Sequence, residues 1–305
     1  MTNAVSLLLS FFFKRTVSVV IDLHCHTDCS DGSDAPVDVV RLATELGLEA
    51  LAITDHDTLD GYDMARKQSD LAGCSLICGV ELSTHSSRCS RSVHLLAYFF
   101  REPGSEFRSW LQELREGRCE RNILLQQRLQ SLGMEISWSE LEAISGKQLG
   151  RPHFARLMVK KGYAASLQDA FDRYLAEGRP AYVERNEPAL EEAVERVAAA
   201  GGIATLAHPA RITRDPHTLR SLVADLIPYG LNAIECFHPE HSAEDTNHWL
   251  AIASELDLAV TGGSDYHGSY KPDIRLGTGR SGTLHVPSSL FLELKRRFAE
   301  TVVNA

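Results

Sequence analysis

Short runs of β-branched and aliphatic residues alternate along this chain with stretches whose apolar positions recur at helical spacing. Residues 17–21, 51–53, 75–80, 93–100, 203–206, 231–235 and 258–261 read as seven buried strands. Between them, Pro36 opens a segment with Val39, Val40, Ala43 and Leu46 on one helical face, closed by Gly47. Leu59, Tyr62 and Ala65 mark a second helix that Asp57 or Thr58 can cap, and an alanine-rich helix over residues 188–200 precedes the fifth strand. Strand and helix in alternation predict a parallel sheet, closed into a barrel or doubly wound.

That rhythm breaks over residues 101–180. Phe107, Trp110, Leu111 and Leu114 keep helical spacing, and the pattern runs through Ile123, Leu124 and Leu132 to Gly133. Ser137-Trp138-Ser139-Glu140 has the form of a capping box, and a further helix holding Phe171, Tyr174 and Leu175 ends at Gly178. The expected division is an N-terminal extension over 1–15, a first barrel part over 16–100, an all-helical insertion over 101–180 and a second barrel part over 181–305.

Nearly every expected strand ends in a histidine or a carboxylate. The first runs into Asp22-Leu23-His24-Cys25-His26, where residues two apart face the same way, so two imidazoles can grip one cation. Asp31 follows in the next turn, His56 after the second strand and Glu81 after the third. His94 begins the fourth strand, His208 follows the fifth, and Asp265 and His267 follow the last. In a parallel barrel the carboxyl ends of the strands open on one face, so these residues converge. Six imidazoles and three carboxylates exceed the needs of one ion and suit two or three.

Composition narrows the ligand. With 44% hydrophobic and 24% charged residues the chain is globular, and a formal charge of −10 argues against coating long nucleic acid. Bound cations can reverse the local sign, so a single nucleotide or short strand stays possible. Seven cysteines without paired Cys-x-x-Cys spacing read as free thiols in a reducing compartment. Residues 4–13 are apolar except for Ser6 and Ser10, but shorter than the ~20 a membrane span needs, and no basic residue precedes them. A cytoplasmic protein with no membrane contact and no evident protein partner is the expectation.

The blocks DLHCHTDCSDG, TDHD, GVELS, VHLLAY, AHP and GSDYH, in this order, resemble the polymerase-and-histidinol-phosphatase (PHP) superfamily of metal-dependent phosphoesterases. The helical stretch with Gly150-Arg151-Pro152-His153-Phe154 is similar to the branch of 3′,5′-nucleoside bisphosphate phosphatases and the exoribonuclease RNase AM. The resemblance implies an α/β fold, a distorted seven-stranded (β/α)7 TIM-like barrel with a small all-helical insertion domain. It also implies that His24, His26, Glu81 and Asp265 hold one ion, Glu81, His94 and His208 a second, and Asp31, His56 and His267 a third. Mixed nitrogen and oxygen donors fit Mn²⁺, Fe²⁺ or Zn²⁺, and the family favours Mn²⁺. A metal-bound hydroxide held by Glu81, His94 and His208 is the expected nucleophile.

Substrate choice is expected to lie in the helical stretch. Arg151 is read as a phosphate contact, Arg121 as a solvated helix arginine, and Arg118 fits either role. His238 can touch substrate or belong to a surface loop; Asp55 and Asp57 can orient His56, cap a helix or shuttle protons. His85, His217, His248 and His285 are expected to be surface or packing residues. The favoured function is hydrolysis of the 3′-phosphate of a 3′,5′-nucleoside bisphosphate such as pAp, or trimming of short RNA from its 5′ end. A histidinol-phosphate phosphatase and a non-catalytic metal-stabilised module are the alternatives.

Overall fold

The computed structural model describes residues 20–68, 73–89, 92–145 and 147–303, so the expected extension over 1–15 lies outside the described residues. Seven strands form one sheet in sequence order: β1 (Ile21–Cys25), β2 (Ala50–Ile53), β3 (Ser75–Thr84), β4 (Val93–Phe99), β5 (Ile203–Leu206), β6 (Leu231–Phe237) and β7 (Ala259–Gly262). The sheet curls until its edges meet: Asp265 N donates to His24 O at 2.8 Å and His26 N to Tyr266 O at 2.8 Å. The helices are α1 (Pro36–Glu45), α2 (Asp60–Gln68), α3 (Ser105–Ser131), α4 (Trp138–Glu142), α5 (Arg151–Lys160), α6 (Leu167–Ala170), α7 (Leu190–Ala199), α8 (Pro216–Leu226), α9 (Ala243–Glu255) and α10 (Ser289–Val303). None of them is long and apolar enough to cross a membrane.

The expectation of uniformly parallel strands is corrected at β4, which runs antiparallel to both β3 and β5. Only the residues between Thr84 and Val93 join β3 to β4, too few for a parallel crossover of a dozen or more. The reversal has a consequence for the site. It brings His94, near the start of β4, opposite Ser83 at the end of β3 and so to the edge where the parallel strands finish.

Two strand ends bear on the site. Residues 17–19 of the expected first strand lie outside the described residues, and β1 runs on to Cys25, so His24 lies within the strand rather than beyond it. β3 extends to Thr84 because its pairing with β4 continues, which puts Glu81 inside the ladder. Period-two alternation then points Glu81 the same way as Ile77, into the curl. Ala50, Ala52, Ile77, Leu96, Tyr98 and Ala233 fill that interior, with Phe291 and Leu294 of α10 beside them. The opposite face of the sheet packs against Trp110, Val194, Leu222 and Trp249 from α3, α7, α8 and α9. Burying each such large side chain contributes about 1.5–3 kcal/mol.

Between β4 and β5 the described residues are helical or irregular, and the Ser137–Glu140 capping box is present. A separate cluster of Leu129, Met134, Leu141, Phe154, Met158 and Leu175 holds these helices together. The 27-residue α3 belongs to both cores: Phe107 to Leu114 pack on the sheet, while Leu125 and Leu129 pack on the small cluster. Where it passes from one to the other, its buried face is polar, carrying Arg118, Arg121 and Asn122.

Candidate metal centre

Glu81 is the hub. Its Oε1 lies 2.7 Å from His94 Nδ1 and 2.8 Å from His208 Nε2; its Oε2 lies 3.2 Å from His24 Nε2, 3.0 Å from His26 Nε2 and 3.4 Å from His56 Nδ1. Burial alone would raise the Glu81 pKa, but His94, His56 and His24 hold it well below the usual carboxylate range. The carboxylate is therefore charged and available to cations.

Asp265 and Asp31 complete the cluster. Asp265 Oδ1 faces His26 and His267 Nδ1, each at 3.5 Å, and its Oδ2 accepts from Arg211 and Lys271, each at 2.8 Å. Asp31 lies 3.6 Å from His26 Nδ1, 3.4 Å from His267 Nε2 and 3.8 Å from His56 Nε2. All nine residues singled out from the sequence thus meet in one place. Burial pushes His56 down to about 3 and lowers His208 and His267, favouring neutral rings with a free lone pair, the form that binds metal.

The backbone is shaped to bring these groups together. His208, Asp265 and Asp57 all adopt positive φ (26°, 54° and 54°), conformations that cost a non-glycine residue about 1–3 kcal/mol and concentrate at functional sites. Gly263 lies so close to β1 that a Cβ there would sit 2.3 Å from His24 N, so only glycine lets the turn after β7 deliver Asp265. Asp55, between β2 and His56, accepts from Thr27 N at 2.8 Å, Thr27 Oγ1 at 2.6 Å and Ser30 Oγ at 2.5 Å. Its carboxylate anchors the loop that carries Asp31.

The donor set fits divalent cations. His26 Nε2, His56 Nδ1, His208 Nδ1 and His238 Nε2 are buried without a hydrogen-bond partner, a costly state unless a cation takes the lone pair. Five triads of His, Asp and Glu bring their ligand atoms within 4.8 Å of one another, among them His24-Glu81-His208, His24-His26-Asp265 and His26-Asp31-His267. The last differs from the expected grouping of Asp31 with His56 and His267, because His26 faces Asp31 more closely than His56 does.

Beside the cluster lies a cavity of about 140 Å³ whose walls include Asp31, His56 and His94 on one side and Arg118, Arg121, Arg151 and Arg185 on the other. Asp57 holds it in shape. It pairs with Arg118 and, at 2.9 Å, with Arg185 Nη2, and accepts from Ser83 N at 2.9 Å, so it is not a helix cap. Arg121, expected in solvent, is 5% exposed; it lies on the polar stretch of α3 turned inward. Burial, then Arg118, Arg151 and Arg185, push its pKa down to about 8, the mark of a cavity short of negative charge.

Several contributors were not singled out as site residues from the sequence. Glu235 lies 2.8 Å from His24 Nδ1 and accepts from His208 N at 2.6 Å. It follows Ala233 on the inward period of β6, and a carboxylate inside an apolar strand was the available signal. Asp22 accepts from the backbone of His24, Ser264 and Gly277. Arg185, Arg211 and Lys271 lacked any distinguishing pattern. His238 is buried 3.5 Å from Asp265 Oδ2 and grouped with His24 and Glu235, away from the arginine cavity. His85, 2.6 Å from Glu187 O, is exposed, as is His217.

A family model described as the PHP domain matches residues 22–198. The chain belongs to the PHP family. A 5′-3′ exoribonuclease of Haemophilus influenzae is 32% identical over 246 residues, covering 81% of this chain and 89% of the relative. A 3′,5′-nucleoside bisphosphate phosphatase of Chromobacterium violaceum is 30% identical over 253 residues, covering 81% and 87%. A crystal structure from Bifidobacterium adolescentis, described as a metal-dependent phosphoesterase, superposes with a TM-score of 0.79 at 31% identity, covering 92% of this chain and 96% of that one. This PHP protein is a metal-dependent phosphoester hydrolase, which sets aside the non-catalytic alternative.

Proposed function

We propose that this PHP enzyme cleaves the ester between the 3′-oxygen of a 5′-phosphorylated nucleoside and its phosphorus, acting on 3′,5′-nucleoside bisphosphates such as pAp and on the 5′ end of short RNA. The observation that carries this reading is the shared wall of Asp31, His56 and His94, which sets an arginine-rich cavity directly beside the metal-ligand cluster. A substrate with phosphates on both sides of one nucleoside would put one on each. Histidinol phosphate has a single phosphate and brings none to the arginines.

Two to three divalent ions, Mn²⁺ by family resemblance, would be held by His24, His26, Glu81 and Asp265, by Glu81, His94 and His208, and by Asp31 and His267 with His56, although His26 lies nearer to Asp31 than His56 does. When bound, such ions lower the pKa of a water and neutralise phosphate charge. The chain's own residues do the rest. Arg118 and Arg151 would grip the phosphate that is not cleaved, with Asp57 fixing the Arg118 guanidinium against Ser83 Oγ, 2.9 Å away. Glu235 fixes the orientation of His24, and its grip on His208 N sets the turn after β5. The helices between β4 and β5 would act as the substrate-selecting insertion.

A metal-replete panel tests the reading: pAp, 5′-phosphorylated oligoribonucleotides, 2′,3′-cyclic AMP and histidinol phosphate. The expected order puts pAp and the oligoribonucleotides well above the other two. Preference for histidinol phosphate would overturn it.

A further inference from the structure

A second concavity lies one side chain away from the cluster. It is an open groove of about 810 Å³ between the Pro209–Arg211 turn, the first two turns of α8 and the β3–β4 connection. Arg88, Arg211, Arg214 and His217 line it together with the apolar Ile212 and Leu222. Arg211 joins it to the metal centre: Nη2 donates to Asp265 Oδ2 at 2.8 Å, while Nε and Nη2 hold Glu240 at 2.9 and 2.6 Å. Arg88 pairs with Asp225 and Arg214 with Asp245, yet their side chains stay 51% and 58% exposed. A guanidinium has five N–H donors, more than one carboxylate engages, so each can still take a phosphate oxygen.

The chemistry proposed above gives such a groove a use. In the hydrolysis, a water oxygen joins phosphorus, the bond from phosphorus to the 3′-oxygen breaks, and that oxygen leaves with the electron pair and takes up a proton. From a nucleoside bisphosphate the phosphorus departs as inorganic phosphate. From RNA it remains attached to the next nucleoside, and the strand it carries must lie somewhere other than the arginine cavity.

We propose that the groove binds this continuing RNA strand, its phosphates on Arg88, Arg211 and Arg214 and a base against Ile212 and Leu222. The inference rests on reading the cluster as the centre of phosphoester hydrolysis. A single nucleotide never reaches the groove, whereas a strand of two or more nucleotides does.

The test compares kcat/KM for pAp and for a 5′-phosphorylated triadenylate in the manganese-loaded wild type, in an Arg88→Gln/Arg214→Gln variant and in an Arg88→Lys/Arg214→Lys variant. In the glutamine variant, turnover of pAp stays within about twofold while that of the triadenylate falls about 10- to 100-fold, mainly through KM. The logarithmic salt dependence for the triadenylate weakens by about 1.4, roughly 0.7 for each lost phosphate contact. The lysine variant, which keeps the charge, recovers most of the loss. Equal losses on both substrates, or none on either, would overturn the assignment. A wild type that hydrolyses pAp but not the triadenylate would also overturn it and leave the reading of the cluster intact. A wild type that hydrolyses neither would overturn both.

Discussion

In the metal-ligand cluster five imidazoles surround one carboxylate, Glu81, whereas in the adjoining cavity four guanidiniums have Asp57 and, 3.9 Å from Arg185, Glu187. The first region is built from strand ends whose rings and acids face one another at 2.7–3.8 Å, with buried ring nitrogens left unpartnered that cations would take. The second is carried on α3, the start of α5 and the irregular segment before α7, and its four guanidiniums outnumber the carboxylates beside them. The contrast explains how one pocket can take a phosphate at each end: ions would supply the charge where bonds break, and fixed guanidiniums supply it where the substrate is merely held.

The sharpest way to break the second region without touching the first is Asp57→Asn. It leaves Arg118 and Arg185 buried with their shared carboxylate gone, and the expected loss is about 3–5 kcal/mol of stability, read by urea unfolding. Arg151→Ala probes the same region more gently. It should raise KM for pAp by about 10- to 100-fold with bound metal unchanged, read by steady-state kinetics beside metal analysis. Parallel loss of metal would mean that Arg151 has a structural role instead.

Glu235→Gln addresses the first region. Losing the charged partner of His24 Nδ1 should weaken metal binding by about 10- to 100-fold, measured by competition with a chelator, with KM for pAp little changed at saturating metal. The smallest effect concerns the rim. Hydrogen bonds from Arg211 lower the Glu240 carboxyl from 4.5 to about 2, so the pair stabilises the fold above pH 4.5 and loses that contribution as pH falls towards 2. Both side chains are part exposed, and solvent screening keeps the effect below about 1 kcal/mol. Between pH 5.5 and 3 the wild type should therefore lose slightly more stability than Glu240→Gln, by urea unfolding at each pH.

The same contrast governs which residues the amino-acid sequence makes legible. Histidines and acids at strand ends are legible because a strand's period and its terminus fix where they point, and Glu81, His94 and His208 meet although they come from β3, β4 and the turn after β5. The reversal of β4 is written in the short link from Thr84 to Val93, but strand-helix rhythm masks it. Arg121 misleads because helical spacing shows an apolar face, whereas α3 changes partner midway and buries a polar one. Arg185, outside any helix or strand, and Glu235, hidden in an apolar run, depend on long-range neighbours, Asp57 and His24, that spacing does not reveal.

The most direct test is the manganese bound per chain, measured by plasma mass spectrometry after loading and dialysis. Two to three ions in the wild type, falling below one in Glu81→Gln, is the expected result, because a single carboxylate ties the cluster together. Less than one ion in the wild type, or an unchanged count in the variant, would contradict a shared metal centre built around Glu81.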